Sequence, residues 1–348
     1  MKVFVTGAST LYLAAVVLAT LIGSLLLTGW MRRVALSRGL LDVPNARSSH
    51  EMPTPRGGGV AIVAGSSAGF CLLSAAHLLD FHLLIALLGG GLAVAVVGFI
   101  DDHRPLPASV RLVTHAVAAL WALVWLGGLP PLRLADHVVQ LGFGGYVLGC
   151  LGIVWTLNLF NFMDGIDGIA ASEAVFVGCG GALVAALGSY AAVSLGADLV
   201  FAAACGGFLF YNWPPARIFM GDVGSGFIGY VVAVLALATT RQDPSAPWEW
   251  LLLGAVFFAD ATVTLVRRMA RGERAQDAHR SHAYQWLARR WKSHRRVTLI
   301  TVVINVGWCL PCALMATLYP EYALWMLAVA LVPLATAVAY AGAGRSER

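Results

Sequence analysis

Residues Asn158-Leu159-Phe160-Asn161-Phe162-Met163-Asp164-Gly165-Ile166-Asp167-Gly168 set two amides and two carboxylates at the end of a long apolar run. A charged side chain inside a membrane helix costs about 2.5–3.5 kcal/mol or more, so ionisable groups in such a setting default to a functional role. Two further acidic sites share it: Asp101-Asp102 closes one apolar run, and Asp222 opens another. Carboxylates clustered at one membrane face point to a divalent cation and a phosphate-rich substrate.

The spacing of each group narrows its chemistry. Asp164 and Asp167 stand at i and i+3, with Asn161 three residues earlier, so a continuing helix puts all three on one face. Asn amides and carboxylates can read a uracil edge and ribose hydroxyls, and Gly165 and Gly168 allow a ligand close to the backbone. A Gly-Asp turn between two spans is the plainer reading, but it leaves the amides unexplained. Asp101 and Asp102 are adjacent, so on a helix they point about 100° apart and should serve different partners. One could hold a metal or a phosphate-binding residue; the other could accept a proton or hold the acceptor. Solvated acids at a helix end, with Pro105 closing the turn, are the alternative.

Residues 212–225 form a Pro-rich loop that enters an apolar run at Asp222. Asp222 could ligate Mg²⁺, which favours one or two carboxylates plus phosphate oxygens; Mn²⁺ is the other candidate ion. Phe219 could stack on a base. Helix capping by Asp222 and interface anchoring by Phe219 are the structural alternatives. The segment 267–296 is strongly basic and contains His279-Arg280-Ser281-His282. A cationic loop can clamp a diphosphate, and His279 and His282 are assigned to phosphate contact rather than metal. Asp260, seven residues before Arg267 and about 10 Å into its helix, either supports this site or pairs with a neighbouring helix.

These groups need a membrane scaffold. The chain has 348 residues, 59% hydrophobic and only 12% charged, about half the charged fraction of a soluble domain. We count eleven apolar runs near the bilayer length of about 20 residues, at 10–31, 58–79, 83–100, 109–127, 142–160, 168–188, 193–212, 224–240, 249–266, 297–317 and 322–341. The expected fold is an all-α polytopic membrane protein of about eleven transmembrane helices, in one domain covering 1–348. The first run reads as an uncleaved anchor. Gly90-Gly91 and Gly180-Gly181 permit close helix packing. All six cysteines lie in apolar runs, and Cys309-Leu310-Pro311-Cys312 reads as buried apolar packing with a proline bend.

With the N-terminus placed outside (periplasmic) and the C-terminus cytoplasmic, 20 of the 23 Lys and Arg residues fall inside; Lys2, Arg133 and Arg241 do not. The same assignment gathers every polar motif on the cytoplasmic side, in segments 32–57, 101–108, 161–167, 213–223 and 267–296. The net charge of +5 sets topology and meets anionic lipid or phosphate; no basic-aromatic interleaving points to nucleic acid.

Together these segments resemble the polytopic polyprenyl-phosphate N-acetylhexosamine-1-phosphate transferases, the superfamily that includes the peptidoglycan phospho-MurNAc-pentapeptide translocase and the initiating transferases of O-antigen and teichoic acid synthesis. The likeness rests on Asp42-Val43-Pro44-Asn45 through His50, Pro55-Arg56-Gly57-Gly58-Gly59, Asp101-Asp102, Asn161 to Gly168, Phe219 to Ser225 and His279 to Gln285. The run count and Pro-Arg-Gly-Gly-Gly resemble the glycan-initiating branch. The resemblance implies transfer from a UDP-N-acetylhexosamine to undecaprenyl phosphate, releasing UMP, in the bacterial inner membrane, to begin O-antigen or lipopolysaccharide synthesis. It implies Asp222 as the Mg²⁺ ligand and Phe219 as the uracil stack. Asn161, Asp164 and Asp167 would lie in the nucleotide-binding and catalytic cleft, and Asp101 and Asp102 would activate or position the lipid phosphate. Arg56, His279, Arg280 and His282 are the further substrate contacts, and relatives imply a homodimer. Arg280 and Ser281 stand where relatives often carry another His, a departure that bears on the sugar.

Two other classes fit less well. A CDP-alcohol phosphotransferase would continue its Asp-Gly pair with Ala-Arg and spaced aspartates, whereas Asp167-Gly168 leads to Ile169-Ala170-Ala171-Ser172. A transporter or lipid flippase would carry ionisable groups near the bilayer midplane and an internal repeat; here, Asp260 apart, the acids gather at one face.

Overall fold

The structure is a computed structural model, and it describes residues 7–42, 52–188, 191–274 and 279–346. Residues 43–50 of the first motif, Arg47 and His50 among them, lie outside the described residues, as do Lys2 and Arg348 of the charge count. The chain opens with α1 (Gly7–Arg38), and a short antiparallel pair follows, β1 (Leu41–Asp42) on β2 (Thr54–Pro55), with Leu41 opposite Pro55. Then come α2 (Gly59–Ala75), α3 (Phe81–His103) and α4 (Ala108–Leu126), and a hairpin of β3 (Leu132–Leu134) and β4 (His137–Val139). The rest is helical: α5 (Phe143–Met163), α6 (Ile169–Leu187), α7 (Ala191–Asn212), α8 (Asp222–Thr240), α9 (Ala246–Leu253), α10 (Ala255–Ala270) and α11 (Ala283–Trp291). The chain closes with α12 (His294–Ile304), a π-helical turn (Asn305–Cys309), α13 (Leu310–Leu318), a 3₁₀ turn and α14 (Ala323–Ala341).

The protein is an all-α polytopic membrane protein. Among the described residues, nine helical segments are long and apolar enough to cross a bilayer. The other two of the eleven expected runs take different forms. Gly59–Ala75 is an apolar helix of 17 residues. The expected straight span over 249–266 is instead broken: α9 and α10 meet at Gly254 with a 78° bend. The α10 face beyond the break carries Asp260, which a bilayer-spanning helix would have to neutralise. The Pro311 bend also takes a specific form, with the π turn just before it in a continuous 294–318 segment. π turns are a recognised way to absorb a kink.

One helix organises the bundle. The spanning stretch of α8 is 94% buried, against 17% for α1, as expected of a helix that is apolar all round. Glycines bring its neighbours close. A Cβ on Gly98 of α3 would lie 2.5 Å from the Asp222 carbonyl oxygen, and one on Gly229 of α8 would lie 2.6 Å from the Thr156 carbonyl oxygen of α5. Gly90 and Gly91 make room for Tyr230 and Phe227 of α8, and Gly180 and Gly181 for Leu253 and Trp250. The Tyr230 hydroxyl, fully buried, donates to the carbonyls of Ala86 at 2.8 Å and Ala118 at 3.2 Å, tying α8 to α3 and α4. Gly229→Leu should therefore force α5 and α8 apart and cost about 1–3 kcal/mol. A lowered thermal midpoint in detergent is the expected result, and an unchanged midpoint would contradict the packing described.

Candidate active site

The acidic groups of α3, α5 and α8 meet at one end of the bundle. α3 ends in Asp101 and Asp102, and the two side chains diverge as adjacent helical residues must. Asp102 turns onto the start of α8. Its Oδ1 accepts the Asp222 N–H at 2.9 Å and its Oδ2 the Val223 N–H at 3.2 Å. These are first-turn donors with no partner inside their own helix, and the negative charge suits the helix N-terminus. Arg56 Nη2 pairs with the same carboxylate at 2.7 Å, and the Asp102 side chain is only 2% exposed. Gly221, the residue before α8, has φ +77°, and a Cβ there would collide with the Asp102 carboxylate.

Asp101 points elsewhere. Its Oδ1 accepts the Leu106 N–H at 2.5 Å and its Oδ2 a bond from Arg111 Nη1 at 2.7 Å. The same guanidinium nitrogen lies 3.6 Å from Asp222 Oδ2, so Arg111 stands between two carboxylates. Asn161 Nδ2 donates to Asp222 Oδ1 at 2.9 Å and to Ser225 Oγ at 3.1 Å, joining the end of α5 to the start of α8.

α5 stops at Met163, and Asp164 has φ −86° and ψ 56°. This corrects the expectation that Asp164 and Asp167 share a helical face: the Gly165 and Gly168 turn breaks the helix and sends the two carboxylates apart. Asp164 faces the cluster, where burial and then the nearby Asp222 and Asp102 charges push its carboxyl up to about 7. Asp167 instead ties two neighbours together. Its Oδ1 lies 3.1 Å from His294 Nδ1 at the start of α12, and its Oδ2 accepts the Ala216 N–H at 3.0 Å. Its carbonyl accepts from Thr298 Oγ1 at 2.9 Å.

The Pro-Arg-Gly-Gly-Gly segment packs on the 219–224 loop. Phe219 N–H donates to the Pro55 carbonyl at 2.8 Å, and Gly58 and Gly59 N–H donate to the carbonyls of Phe219 and Met220, each at 2.9 Å. Gly59 lies so close to Gly224 that a Cβ would come within 2.5 Å of its Cα. This contact delivers Arg56 to Asp102. Phe219 and Asp167 line a cleft of about 790 Å³ with Arg289, Lys292, His294 and Arg295 on its wall. A second cavity, about 530 Å³ and mostly apolar, runs between α3, α4, α5 and α10 past Leu112, Leu151 and Trp155, and ends at Arg111, Asn161 and Asp222.

The histidine segment closes the site from α10 and α11. Asp260, fully buried, accepts the N–H groups of Ala283 at 2.9 Å and Tyr284 at 3.0 Å, and lies 3.3 Å from His282 Nδ1. The sequence left its role open; it caps α11. Tyr284 donates its hydroxyl to the Phe162 carbonyl at 2.9 Å, which places the segment one residue from Asn161. His279 packs against His282, the rings tilted by 31° with centres 4.9 Å apart. Burial, then His282 and Arg268, lower the His279 pKa to about 3, so its ring is neutral near pH 7. The Arg280 carbonyl accepts from Arg289 Nη2 at 3.0 Å.

Of the residues singled out by sequence, Arg56, Asp101, Asp102, Asn161, Asp164 and Asp222 converge directly. Phe219 and Asp167 line the adjoining cleft, and His279, Arg280 and His282 lie on the flanking segment. Sequence reasoning overlooked the roles of Arg111, His294, Tyr284 and Asn212. Asn212 Oδ1 accepts the Gly168 N–H at 3.0 Å and its Nδ2 donates to the Ile218 carbonyl at 2.9 Å, bracing both loops. Arg111 carried the one usable signal, a cation one turn into an apolar run.

Among the described residues, no three His, Cys, Asp or Glu side chains gather closely enough to hold a metal ion alone. Asp222 and Asp164 are the carboxylates of the cluster that could contribute to a divalent-cation site, and only with phosphate oxygens and water completing the sphere, as Mg²⁺ allows. The excess of negative charge that raises Asp164 is what a divalent cation would offset.

The described residues thus place an acidic, cation-lined site at one end of an apolar bundle of a multi-pass membrane protein. Glycosyl transferase family 4 matches residues 84–240, the stretch that supplies Asp101, Asp102, Arg111, Asn161, Asp164 and Asp222. The chain is 31% identical over 295 residues to the probable undecaprenyl-phosphate N-acetylglucosaminyl 1-phosphate transferase of Bacillus subtilis (strain 168), covering 83% of this chain and 80% of that protein. It is 31% identical over 332 residues to the decaprenyl-phosphate N-acetylglucosaminephosphotransferase of Mycolicibacterium smegmatis, covering 83% and 78%. It is also 32% identical over 204 residues to the phospho-N-acetylmuramoyl-pentapeptide-transferase of Moorella thermoacetica, covering 54% and 62%. The chain belongs to glycosyl transferase family 4, within the polyprenyl-phosphate N-acetylhexosamine-1-phosphate transferase superfamily its motifs resemble.

The raised Asp164 gives a signed pH dependence. In the metal-free protein its carboxyl should take up a proton as pH falls through about 7, well above the ordinary aspartate range near 3.9. Infrared difference spectra between pH 8 and pH 6 should show a protonated-carboxyl band that Asp164→Asn diminishes. A band that appears only well below pH 5 would contradict the cluster electrostatics.

Proposed function

We propose that the protein transfers N-acetylhexosamine 1-phosphate from a UDP-sugar to undecaprenyl phosphate, giving undecaprenyl-diphospho-sugar and UMP, at the cytoplasmic face of the bacterial inner membrane. The product would be the lipid-linked starter of a cell-surface glycan of the O-antigen or lipopolysaccharide type. The observation that carries the reading is that two unlike cavities reach neighbouring positions of one loop, Phe219 and Asp222. The cleft beside Phe219 is basic, and the groove that ends at Asp222 is apolar. Phe219 and Asp222 are three residues apart in one loop, so a nucleotide in the cleft and a lipid phosphate in the groove would present their phosphates to the same carboxylates. The named activities of the Bacillus and Mycolicibacterium relatives support the same donor and acceptor classes.

The chain's own groups then divide the work. Phe219 offers a face to the uracil ring, and Arg289, Lys292 and Arg295 supply positive charge along the diphosphate. The apolar groove would hold the polyprenyl tail at about 0.8 kcal/mol per buried methylene. Arg111, at the groove's polar end, would orient the lipid phosphate against Asp222. An oxygen of that phosphate attacks the β-phosphorus, the bond from that phosphorus to the bridging oxygen breaks, and UMP leaves with the bridging oxygen. The attacking phosphate is already anionic near neutral pH, so the step calls for positioning and charge neutralisation more than for a strong base. Asp222, with Asp164 beside it, would hold Mg²⁺, which when bound offsets diphosphate charge and polarises the phosphorus. Asp102 is occupied by Arg56 and two backbone N–H groups, and its task is to fix Asp222.

Purified protein given UDP-N-acetylglucosamine, undecaprenyl phosphate and Mg²⁺ should release UMP only when all three are present. Asp222→Ala should lower the rate by about 10²-fold or more. Normal metal-dependent turnover in that variant would overturn the metal assignment. Solute counterflow in proteoliposomes without UMP formation would replace the transferase by a transporter.

A further inference from the structure

The segment after α14 is fastened to the histidine segment by contacts that the proposed reaction does not itself require. Arg267, near the end of α10, donates through Nη1 to the carbonyls of Ala339 and Ala343, each at 2.9 Å. Arg271 donates through Nη1 to the Gly344 carbonyl. These two guanidinium groups satisfy carbonyls at the α14 terminus, which have no partner within the helix. The Gly344 N–H then donates to the Ser281 carbonyl at 2.7 Å. Ser281 in turn meets His279, with Oγ 3.0 Å and N 3.4 Å from His279 Nδ1.

The backbone and the packing both demand glycine here. Gly342 has φ +112° and lies against the Trp286 ring of α11, where a Cβ would come within 3.1 Å. Gly344 has φ +69°, and a Cβ would lie 2.7 Å from Arg267 Cβ and 3.0 Å from the Thr264 carbonyl oxygen. Ala343 between them is fully buried. A second chain of contacts runs in parallel. Arg271 Nη2 pairs with Glu273 Oε1 at 2.6 Å, and Glu273 Oε2 pairs with Arg268 Nε at 2.8 Å, next to the same loop.

We propose that residues 342–345 act as a latch that positions His279 and His282, with Gly344 and Arg271 as its positioning residues. The inference rests on the reading that the histidine segment contacts the donor phosphates. Asp260 holds one side of that segment through the first turn of α11, and the latch holds the other side through Ser281. Without the latch, the 279–281 stretch loses the Ser281–Gly344 backbone bond that ties it to the segment after α14, while α10 and α11 keep their own helical bonding.

The test compares Gly344→Ala, Arg271→Ala and Arg271→Lys in the full-length protein in detergent. Two readouts are taken: the rate at which diethyl pyrocarbonate modifies His279, followed by peptide mass spectrometry, and UMP release kinetics. Gly344→Ala and Arg271→Ala should modify His279 severalfold faster. They should lower kcat by about tenfold to 10²-fold, the scale of a small misplacement of a catalytic group, with the KM for undecaprenyl phosphate unchanged. Arg271→Lys, which keeps a donor for the Gly344 carbonyl, should recover most of both. Unchanged His279 modification in both alanine variants overturns the latch. Faster modification with unchanged UMP release overturns its use in the reaction. If the unaltered protein releases no UMP while the variants still modify faster, the transferase reading fails and the latch stands.

Discussion

One carboxylate fixes the geometry of the site. Asp102, in the last turn of α3, accepts two N–H groups from the first turn of α8 and pairs with Arg56 from the loop before α2. Three elements distant in sequence thereby share one buried charge. Removing one partner of a fully buried pair costs about 3–5 kcal/mol; here the cost is smaller, because the Arg56 side chain is 37% exposed. The consequence is positional. Asp222 is the first residue of α8, and its orientation follows from where Asp102 holds that turn. Gly221 and Gly98 leave the space this requires, since a side chain at either would strike Asp102 or the Asp222 backbone.

From that anchor the electrostatics arrange themselves by distance. Arg111 lies against both Asp101 and Asp222, and burial together with the Asp222 and Asp102 charges raises the Asp164 carboxyl to about 7. Positive charge thus approaches the carboxylates from both sides, from Arg111 at the end of the groove and from Arg289, Lys292 and Arg295 along the cleft. A magnesium nucleotide on one side and a lipid phosphate on the other would complete the balance. Fixed dipoles and charges of this kind contribute most where water is excluded.

Much of this was legible in the sequence because membrane burial makes polar residues conspicuous. Among the described residues, nine of the eleven apolar runs form helices long enough to cross a bilayer, and Asp101, Asp102, Asp164 and Asp222 at the ends of such runs converge. The divergence of Asp101 and Asp102 followed from helical geometry alone. What could not be read was set by tertiary contact. The Gly165-Ile166-Asp167-Gly168 turn could have continued α5, but contacts distant in sequence, His294 and Ala216 on Asp167 and Asn212 on Gly168, hold it as a turn. The break at Gly254 was hidden because 249–266 is apolar enough to span. Asp260 gave two readings in sequence; the backbone donors of α11, supplied from more than 20 residues away, decide between them.

The central claim is that Arg56 and Asp102 act as one unit that presents Asp222. A double-mutant cycle on UMP release with Arg56→Ala, Asp102→Asn and the pair tests it most directly. The account predicts strong non-additivity, with the double variant no slower than Asp102→Asn alone. Losses that simply add in free energy would contradict it, because the two residues would then be serving the reaction independently.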